Sequence, residues 1–282
     1  MSPRAIVFAY HDVGVRCLAT LLAAGIQVDL VVTHRDDPAE NVWFASVERL
    51  ARDNGLDVLS DAGPSDEILR RARDLAPDFL FSFYYRHMLP EAWLGLASRG
   101  AFNMHGSLLP RYRGRAPVNW AILHGEAETG ATLHRMAAKP DAGPIVDQMA
   151  VPILPDDLAL DVFRKVTVAA ELVLHRSLPR LLDGTAKLTP QDLSRGSYFG
   201  ARTPEDGRID WSRSAAEIHN LVRAVAPPYP GAFTMFRGEP LRILRTRLTP
   251  RAAPPGIHDD DSGLHAGCGD GRRLDILEAQ RP

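Results

Sequence analysis

Residues 5–24, AIVFAYHDVGVRCLATLLAA, contain a short apolar run followed directly by an amphipathic stretch. The run Ala5–Tyr10 has the length and composition of a buried strand, and the apolar residues of Gly14–Ala24 have helical spacing. The same alternation recurs twice: strands are predicted at 30–33 and 79–83, and helices at 41–54 and 65–76, with Ser65 as the N-cap of the last. Apolar strands that alternate with helices form a parallel sheet covered on both faces. The sequence therefore predicts an α/β domain.

The rest of the chain has a different pattern. After a short helix at 118–123 and two strands at 129–136 and 145–151, a long helix is predicted over 157–178, ended or kinked by Pro179. Its buried stripe is predicted to be Leu158, Val162, Val166, Ala169 and Leu172. Beyond about Gln191 come a helix at 215–226, strands at 232–236 and 241–248, and a loop at 251–262. We expect two domains, an α/β domain over 1–188 and a smaller, mostly β domain over 189–282.

Composition narrows the class of protein. The chain has 282 residues, a formal net charge of -2 and a sequence pI near 6.6. A chain without a positive field is a poor match for a polyanion, so nucleic acid is not expected as the main partner. Its two cysteines have no metal-ligand spacing, and the run HDDD at 258–261 reads as a solvated loop, so no metal is expected. The short apolar N-terminus predicts a cytoplasmic protein without membrane insertion.

The stretch AFNMHGSLLPRYRGRAPVNW, residues 101–120, places polar groups in an apolar setting. If Ala101–His105 is a strand, Asn103 and His105 share one face of it, and ligands bind at the carboxyl ends of parallel strands. A histidine can move the proton of an attacking amine, and an asparagine amide can stabilise an oxyanion. This pair therefore suits acyl transfer, although an isolated N-x-H also occurs where both side chains merely bind backbone groups.

The same stretch resembles the signature of the formyltetrahydrofolate-dependent formyltransferases, N-x-H-x-S-L-L-P-x-[YWF]-[RK]-G. The segment KPDAGPIVDQ at 139–148 is similar to a second motif of that family, D-x-G-x-[IV], which supplies a catalytic Asp. The resemblance implies a Rossmann-like catalytic domain followed by an OB-like β-barrel domain. Further segments, such as FAYHDVG at 8–14 and FGARTPEDGRIDW at 199–211, resemble one branch of the family. That branch is the formyltransferase domain of the bifunctional polymyxin-resistance protein, which formylates UDP-4-amino-4-deoxy-L-arabinose.

The resemblance assigns roles to individual residues. It implies His105 as general base, Asn103 as oxyanion donor and Asp141 as the group that orients the imidazole, although Asp141 also fits a plain turn residue. The co-substrate 10-formyltetrahydrofolate is expected against two segments, whose members are Arg86, His87, Met88, Leu89, Ala137, Ala138, Lys139 and Pro140. The sugar nucleotide is expected to contact Arg115, Asn220, Arg223 and Tyr229, for which a solvated loop and helix packing are the alternative explanations.

The predicted function is formyl transfer from 10-formyltetrahydrofolate to the amine of UDP-4-amino-4-deoxy-L-arabinose, serving lipid A modification and polymyxin resistance. Arg115 favours a sugar nucleotide, because transfer-RNA formyltransferases of the family tend to have a small residue there. Three alternatives stay open: another UDP- or dTDP-amino sugar, methionyl transfer RNA, and a binding module without catalysis. The sequence leaves the oligomeric state open.

Overall fold

The computed structural model of the protein describes residues 2–36, 41–60 and 63–281. The strands in these residues are β1 Arg4–Ala9, β2 Gln27–Thr33, β3 Val58–Ser60, β4 Phe79–Phe83, β5 Ala101–His105, β6 Arg113–Gly114, β7 Glu128–Arg135, β8 Ile145–Pro152, β9 Tyr198–Phe199, β10 Ala232–Phe236, β11 Glu239–Ala252, β12 Gly256–Asp260, β13 Gly263–Gly267 and β14 Arg272–Gln280. The α-helices are α1 His11–Ala23, α2 Val47–Asp53, α3 Asp66–Asp74, α4 Glu91–Leu94, α5 Pro117–Leu123, α6 Ala159–Asp183 and α7 Ala215–Val225. None of these helices is long and apolar enough to cross a membrane.

A seven-stranded sheet of order β3-β2-β1-β4-β5-β7-β8 forms the centre of the first half of the chain. Strands β3, β2, β1, β4 and β5 run parallel to one another, whereas β7 runs antiparallel to β5. Every residue of β4 is buried, as expected for a strand covered on both faces. The predicted α/β fold is confirmed.

The helix ends follow the capping chemistry of the chain. Helix α3 begins after Ser65, whose hydroxyl accepts a hydrogen bond from the Ile68 backbone N–H, as predicted. Helix α2 starts later than the predicted residue 41, because the hydroxyl of Ser46 accepts from the Arg49 N–H and sets the first turn there. The prediction that the helix includes residues 41–46 was wrong, since the cap at Ser46 has an extended backbone that ends the helix on that side.

Helix α6 corrects two details of the sequence prediction. It continues through Pro179 to Asp183, so Pro179 does not end it. An interior proline removes one backbone hydrogen bond, but Leu178 and Leu181 on either side of Pro179 are buried and pack this part of the helix. The predicted stripe is buried at Val162, Val166 and Ala169, but Leu172 is 46% exposed. The buried stripe continues instead through Val173 and Leu174, which lie four residues after the buried Ala169 and Ala170 and so on the same face.

The last part of the chain is an antiparallel sheet of order β10-β11-β14-β13-β12, packed against α7. A capping box between Ser214 and Glu217 starts α7 at the predicted place. The predicted loop over 251–262 was wrong, because 256–260 form β12, which pairs with β13 as a hairpin. The carboxylate of Asp260 accepts from the Ser262 N–H and closes the turn. A mostly β C-terminal region is therefore confirmed.

The described chain forms two compact units, each made of three segments. The first comprises 1–114, 130–150 and 165–198, and the second comprises 115–129, 151–164 and 199–282. The predicted domain boundary between residues 188 and 189 stays a prediction.

Candidate active site

Two polar side chains lie on one face of β5, at its carboxyl end. His105 is 6% exposed and Asn103 is half-buried, while Phe102 and Met104, which alternate with them along the strand, are buried on the opposite face. The apolar side chains hold the strand in the sheet, and the strand alternation turns the polar pair to the same side. The structure therefore brings together the pair that the sequence predicts.

The loop that follows β5 determines which ring nitrogen of neutral His105 carries the proton. The His105 Nε2 atom lies 2.8 Å from the Tyr112 carbonyl oxygen. Because a carbonyl only accepts hydrogen bonds, Nε2 carries the proton, and Nδ1 of the neutral ring is left with its lone pair. The Ser107 hydroxyl donates to the Arg111 carbonyl at 2.7 Å and closes this loop. The SLLPRY segment thus makes His105 a proton acceptor at Nδ1.

Thr132 on β7 anchors the same loop, although no motif in the sequence points to it. Its hydroxyl donates to the Ser107 carbonyl at 2.6 Å and accepts from the Leu109 N–H at 3.2 Å and from Gln148 Nε2 at 2.8 Å. Thr132 lies directly opposite His105 in the β5–β7 register and is 0% exposed. The hydroxyl therefore has all its hydrogen-bonding capacity satisfied.

Asp141 lies in a tight turn with its carboxylate facing two imidazoles. Its backbone has φ of 51°, a left-handed conformation that aspartate tolerates better than most residues. Asp141 Oδ1 is 3.6 Å from His105 Nδ1 and 3.6 Å from His134 Nε2, while Oδ2 accepts from the Gly114 N–H at 2.9 Å. The side chain of Gln191 donates to the carbonyl oxygens of Asp141 and Gly143 and holds the turn.

The carboxylate of Asp141 stays ionised in spite of its burial. Desolvation raises its pKa, but the positive charge of a protonated His105, the interaction with the His134 side chain and the hydrogen bond from the Gly114 N–H together outweigh that effect and lower the pKa well below its usual range. An ionised carboxylate 3.6 Å from His105 Nδ1 stabilises the imidazolium that forms when this nitrogen takes a proton. The geometry thus provides a proton acceptor, a counter-charge and an amide donor in one place.

His134 belongs to the site, although the sequence alone did not predict it. It lies on β7 directly opposite Asn103, and its Nε2 is 3.1 Å from the Asn103 side-chain nitrogen. The run TLHRM at 132–136 contains this residue, but only an antiparallel register of β7 against β5 brings it to Asn103. A strand prediction without a pairing partner gives no such register.

The two segments predicted to hold the folate start from one hydrophobic cluster. Leu89 is buried in that cluster and Met136 packs against it, so the segments 86–89 and 137–140 leave from the same part of the first unit. The Arg86 N–H donates to His34 Nε2 at 3.0 Å, which fixes the start of the first segment. Met88 is 62% exposed and offers an apolar surface. Contact between these segments and a folate stays a prediction.

The other predicted substrate residues belong to the second unit. Arg115 has an exposed side chain, and its backbone N–H donates to the Phe199 carbonyl at 2.9 Å. Tyr229 is half-buried, and burial raises the pKa of its phenol against the opposing effect of a hydrogen bond with Asn119. Their contact with a nucleotide stays a prediction.

Arg223 and Asn220 support the chain locally. The Arg223 guanidinium donates from Nη1 to the carbonyl oxygens of Leu154 and Asp157, at 3.2 and 3.0 Å, and from Nη2 to the Asn220 side-chain oxygen at 2.6 Å. These bonds tie helix α7 to the turn before α6. They are contacts of helix packing, which was the alternative explanation for Arg223 and Asn220. Nucleotide binding by the two residues stays a prediction.

Among the described residues, no group of three or more His, Cys, Asp or Glu side chains is placed to hold a metal ion. The hydrogen-bonded groups around His105 are those of proton transfer and oxyanion stabilisation.

Several solved structures share the fold of the whole chain. The N-formyltransferase from Helicobacter canadensis, in a complex with folinic acid and dTDP-3-aminofucose, is 23% identical, with a TM-score of 0.80 over 98% of this chain and 99% of that one. The sugar 3N-formyltransferase WlaRD, solved with dTDP and 5-N-formyl-THF, is 20% identical, with a TM-score of 0.78 over 100% and 98%. A 4-N formyltransferase from Francisella tularensis is 20% identical, with a TM-score of 0.66 over 83% and 93%.

The family follows from the sequence matches, which cover most of the chain. Residues 16–178 match the family described as formyl transferase, and residues 202–282 match the formyl transferase C-terminal domain. With Asn103, His105 and Asp141 together in the first of these regions, the chain belongs to the formyl transferase family.

Proposed function

We propose that the protein transfers a formyl group from 10-formyltetrahydrofolate to the amine of a nucleotide-linked amino sugar. The observation that carries the proposal is the arrangement of His105, with its Nδ1 lone pair facing the Asp141 carboxylate, beside the Asn103 amide. These three groups are what amide formation from an amine and an activated formyl group requires. The enzyme from Helicobacter canadensis, solved with folinic acid and dTDP-3-aminofucose, and WlaRD, solved with dTDP and 5-N-formyl-THF, support the substrate class.

The chemistry follows from the protein's own groups. The amine lone pair attacks the formyl carbon, and the carbonyl oxygen becomes an oxyanion that an N–H of Asn103 stabilises. His105 Nδ1 takes the proton released by the attacking nitrogen, and the Asp141 carboxylate stabilises the resulting imidazolium. The imidazolium then returns the proton to the departing folate nitrogen as the C–N bond to the folate breaks. Tetrahydrofolate and the formamido sugar nucleotide leave, and His105 is neutral again.

The finer substrate within this proposal is UDP-4-amino-4-deoxy-L-arabinose, with a role in lipid A modification. It rests on the sequence resemblance, and Arg115 is its main residue, since a forked guanidinium can bind the oxygens of a diphosphate or a sugar. The formal net charge of -2 argues against transfer RNA as the acceptor, because binding to its phosphates favours a positively charged protein.

A formyl-transfer assay with purified protein and 10-formyltetrahydrofolate tests the proposal. The acceptor panel is UDP-4-amino-4-deoxy-L-arabinose, dTDP-linked 3-amino and 4-amino sugars, and charged initiator transfer RNA. We expect transfer to at least one amino-sugar nucleotide, with the UDP-arabinose derivative having the highest kcat/KM. Transfer to the RNA alone would overturn the substrate class, and a dTDP sugar as best acceptor would overturn the finer assignment.

A further inference from the structure

We propose that His134 is a positioning residue, which fixes the side-chain amide of Asn103 so that one of its N–H groups faces the reacting formyl oxygen. The inference rests on the proposed function and adds a residue to it. His134 lies in the antiparallel partner strand, opposite Asn103, and is 1% exposed. Because His134 is packed on all sides, its side chain does not change rotamer easily, and water does not easily take the place of its hydrogen-bond partners.

The hydrogen bonds of His134 determine which nitrogen carries the proton. Its Nδ1 lies 3.0 Å from the carbonyl oxygen of Arg135, which can only accept. In the neutral ring Nδ1 is therefore the donor, and Nε2 has the lone pair. That lone pair lies 3.1 Å from the Asn103 side-chain nitrogen, within hydrogen-bonding distance. Asp141 Oδ1 lies farther from Nε2, at 3.6 Å, so the Asn103 amide is the nearer partner of this nitrogen.

This lone pair fixes the orientation of the amide. If the Asn103 amide were flipped, its oxygen would face Nε2 and two acceptors would be in contact, which is unfavourable in a buried site. With the nitrogen toward His134, one N–H is used by Nε2 and the second stays available. Asn103 makes no other side-chain hydrogen bond within the described parts of the chain. The second N–H is therefore the donor for an oxyanion, and its direction is set by His134.

The tautomer can be measured without any substrate. In ¹⁵N-labelled full-length protein, two-bond ¹⁵N–¹H correlation spectra distinguish protonated from unprotonated imidazole nitrogens. The signals of His134 are identified by their loss in His134→Gln. We expect His134 to be protonated at Nδ1 only at pH 7, with Nε2 unprotonated. A protonated Nε2 at this pH would overturn the proposal, whatever acceptor the enzyme uses.

A double-mutant cycle tests the action through Asn103. Asn103→Ala should lower kcat by about 10²–10³-fold, as for loss of an oxyanion donor, and His134→Leu by about 10²-fold, as for a displaced catalytic group. Because both changes remove the same oriented N–H, His134→Leu should cost less than about threefold in the Asn103→Ala background. Independent effects that multiply would contradict the assignment.

Two further variants separate positioning from folding. His134→Gln offers an amide oxygen as acceptor for Asn103 and should keep kcat within about tenfold of the wild type; a kcat as low as that of His134→Leu would count against the proposal. Leu133→Val on the opposite face of β7 should lower the Tm without changing kcat, since Leu133 is buried away from Asn103. If no acceptor in the panel is formylated, the proposed function fails, and the tautomer measurement still decides whether His134 Nε2 accepts a hydrogen bond from Asn103.

Discussion

The turn that carries Asp141 passes so close to strand β7 that residue 143 has no space for a side chain. A Cβ atom at Gly143 would lie 1.9 Å from the carbonyl oxygen of Arg135 and 2.9 Å from its carbonyl carbon. Ordinary contact begins near 3.4 Å, so Gly143→Ala requires the turn and the strand to separate by about 1.5 Å. Arg135 is held in the sheet by its pairing with Phe102, and the turn must therefore move.

A shift of this size changes the chemistry more than the stability. We expect a loss of about 10²-fold in kcat, because a displacement near 1 Å at a catalytic group has that effect. Overpacking should lower the free energy of unfolding by about 1–3 kcal/mol, which leaves most molecules folded. Formyl-transfer rates at saturating substrate, together with urea unfolding of the same preparation, measure the two effects separately.

Gly95→Ala is the matched control for this substitution. A Cβ atom at residue 95 would have no neighbouring atom within 4 Å, and the backbone there is not left-handed, so alanine fits without movement. We expect wild-type kcat and unchanged or slightly higher stability in this variant. A Gly143→Ala enzyme with a kcat within about twofold of the wild type would refute the reasoning that the position of Asp141 limits the reaction.

Substitutions at three other positions test separate parts of the structure. Thr132→Val should lower the free energy of unfolding by about 3 kcal/mol in urea titrations, since it removes three hydrogen bonds from a buried hydroxyl, and Thr132→Ser should restore most of this. Asp141 has a lowered pKa in the folded state, so its stabilising contribution is present above the unfolded pKa of about 3.9 and is lost as the pH falls through the folded value. Asp141→Asn should therefore show a shallower loss of stability below about pH 4, and an unchanged acid limb would contradict this. Arg115→Ala should raise the KM for the sugar nucleotide about tenfold, as for loss of a charged hydrogen bond, and leave the KM for the folate unchanged; equal effects on both would remove Arg115 as the basis of the UDP-arabinose assignment.

Most of the parallel part of the sheet was predictable from the sequence, because β1, β2 and β4 contain short apolar runs, whereas β3 at 58–60 was not predicted. Residues 79–83 and 101–105 form strands with the predicted bounds. The helix starts after Ser65 and Ser214, both capped by the serine side chain, were predicted, but the capped start after Ser46 was not. The strand at 256–260 was not, since its stability comes from pairing with β13 rather than from its own apolar residues. A sequence read in isolation has no information on such a partner.

The candidate catalytic residues were predictable to the extent that one local segment contains them. Asn103 and His105 share a strand, so their relation follows from the two-residue period of that strand. Asp141 entered only through the resemblance of its motif, because Pro-Asp-Ala-Gly by itself predicts a turn. Gln191 and Gly114, which hold the turn and the carboxylate, contribute through hydrogen bonds that depend on long-range chain placement. Residue type alone gives no signal for such contacts.

The reversal of chain direction at β7 explains why the site forms where it does. In an all-parallel sheet, the strand beside β5 would offer its own carboxyl end next to that of β5, followed by a loop. Because β7 is antiparallel to β5, it offers the middle of a buried strand instead, and Thr132 and His134 face His105 and Asn103 in register. One strand thereby anchors the loop that sets the His105 tautomer and contacts the Asn103 amide. Strands hold side chains more firmly than loops do. This arrangement therefore gives the site at the carboxyl end of β5 the rigidity that oriented hydrogen-bond donors require.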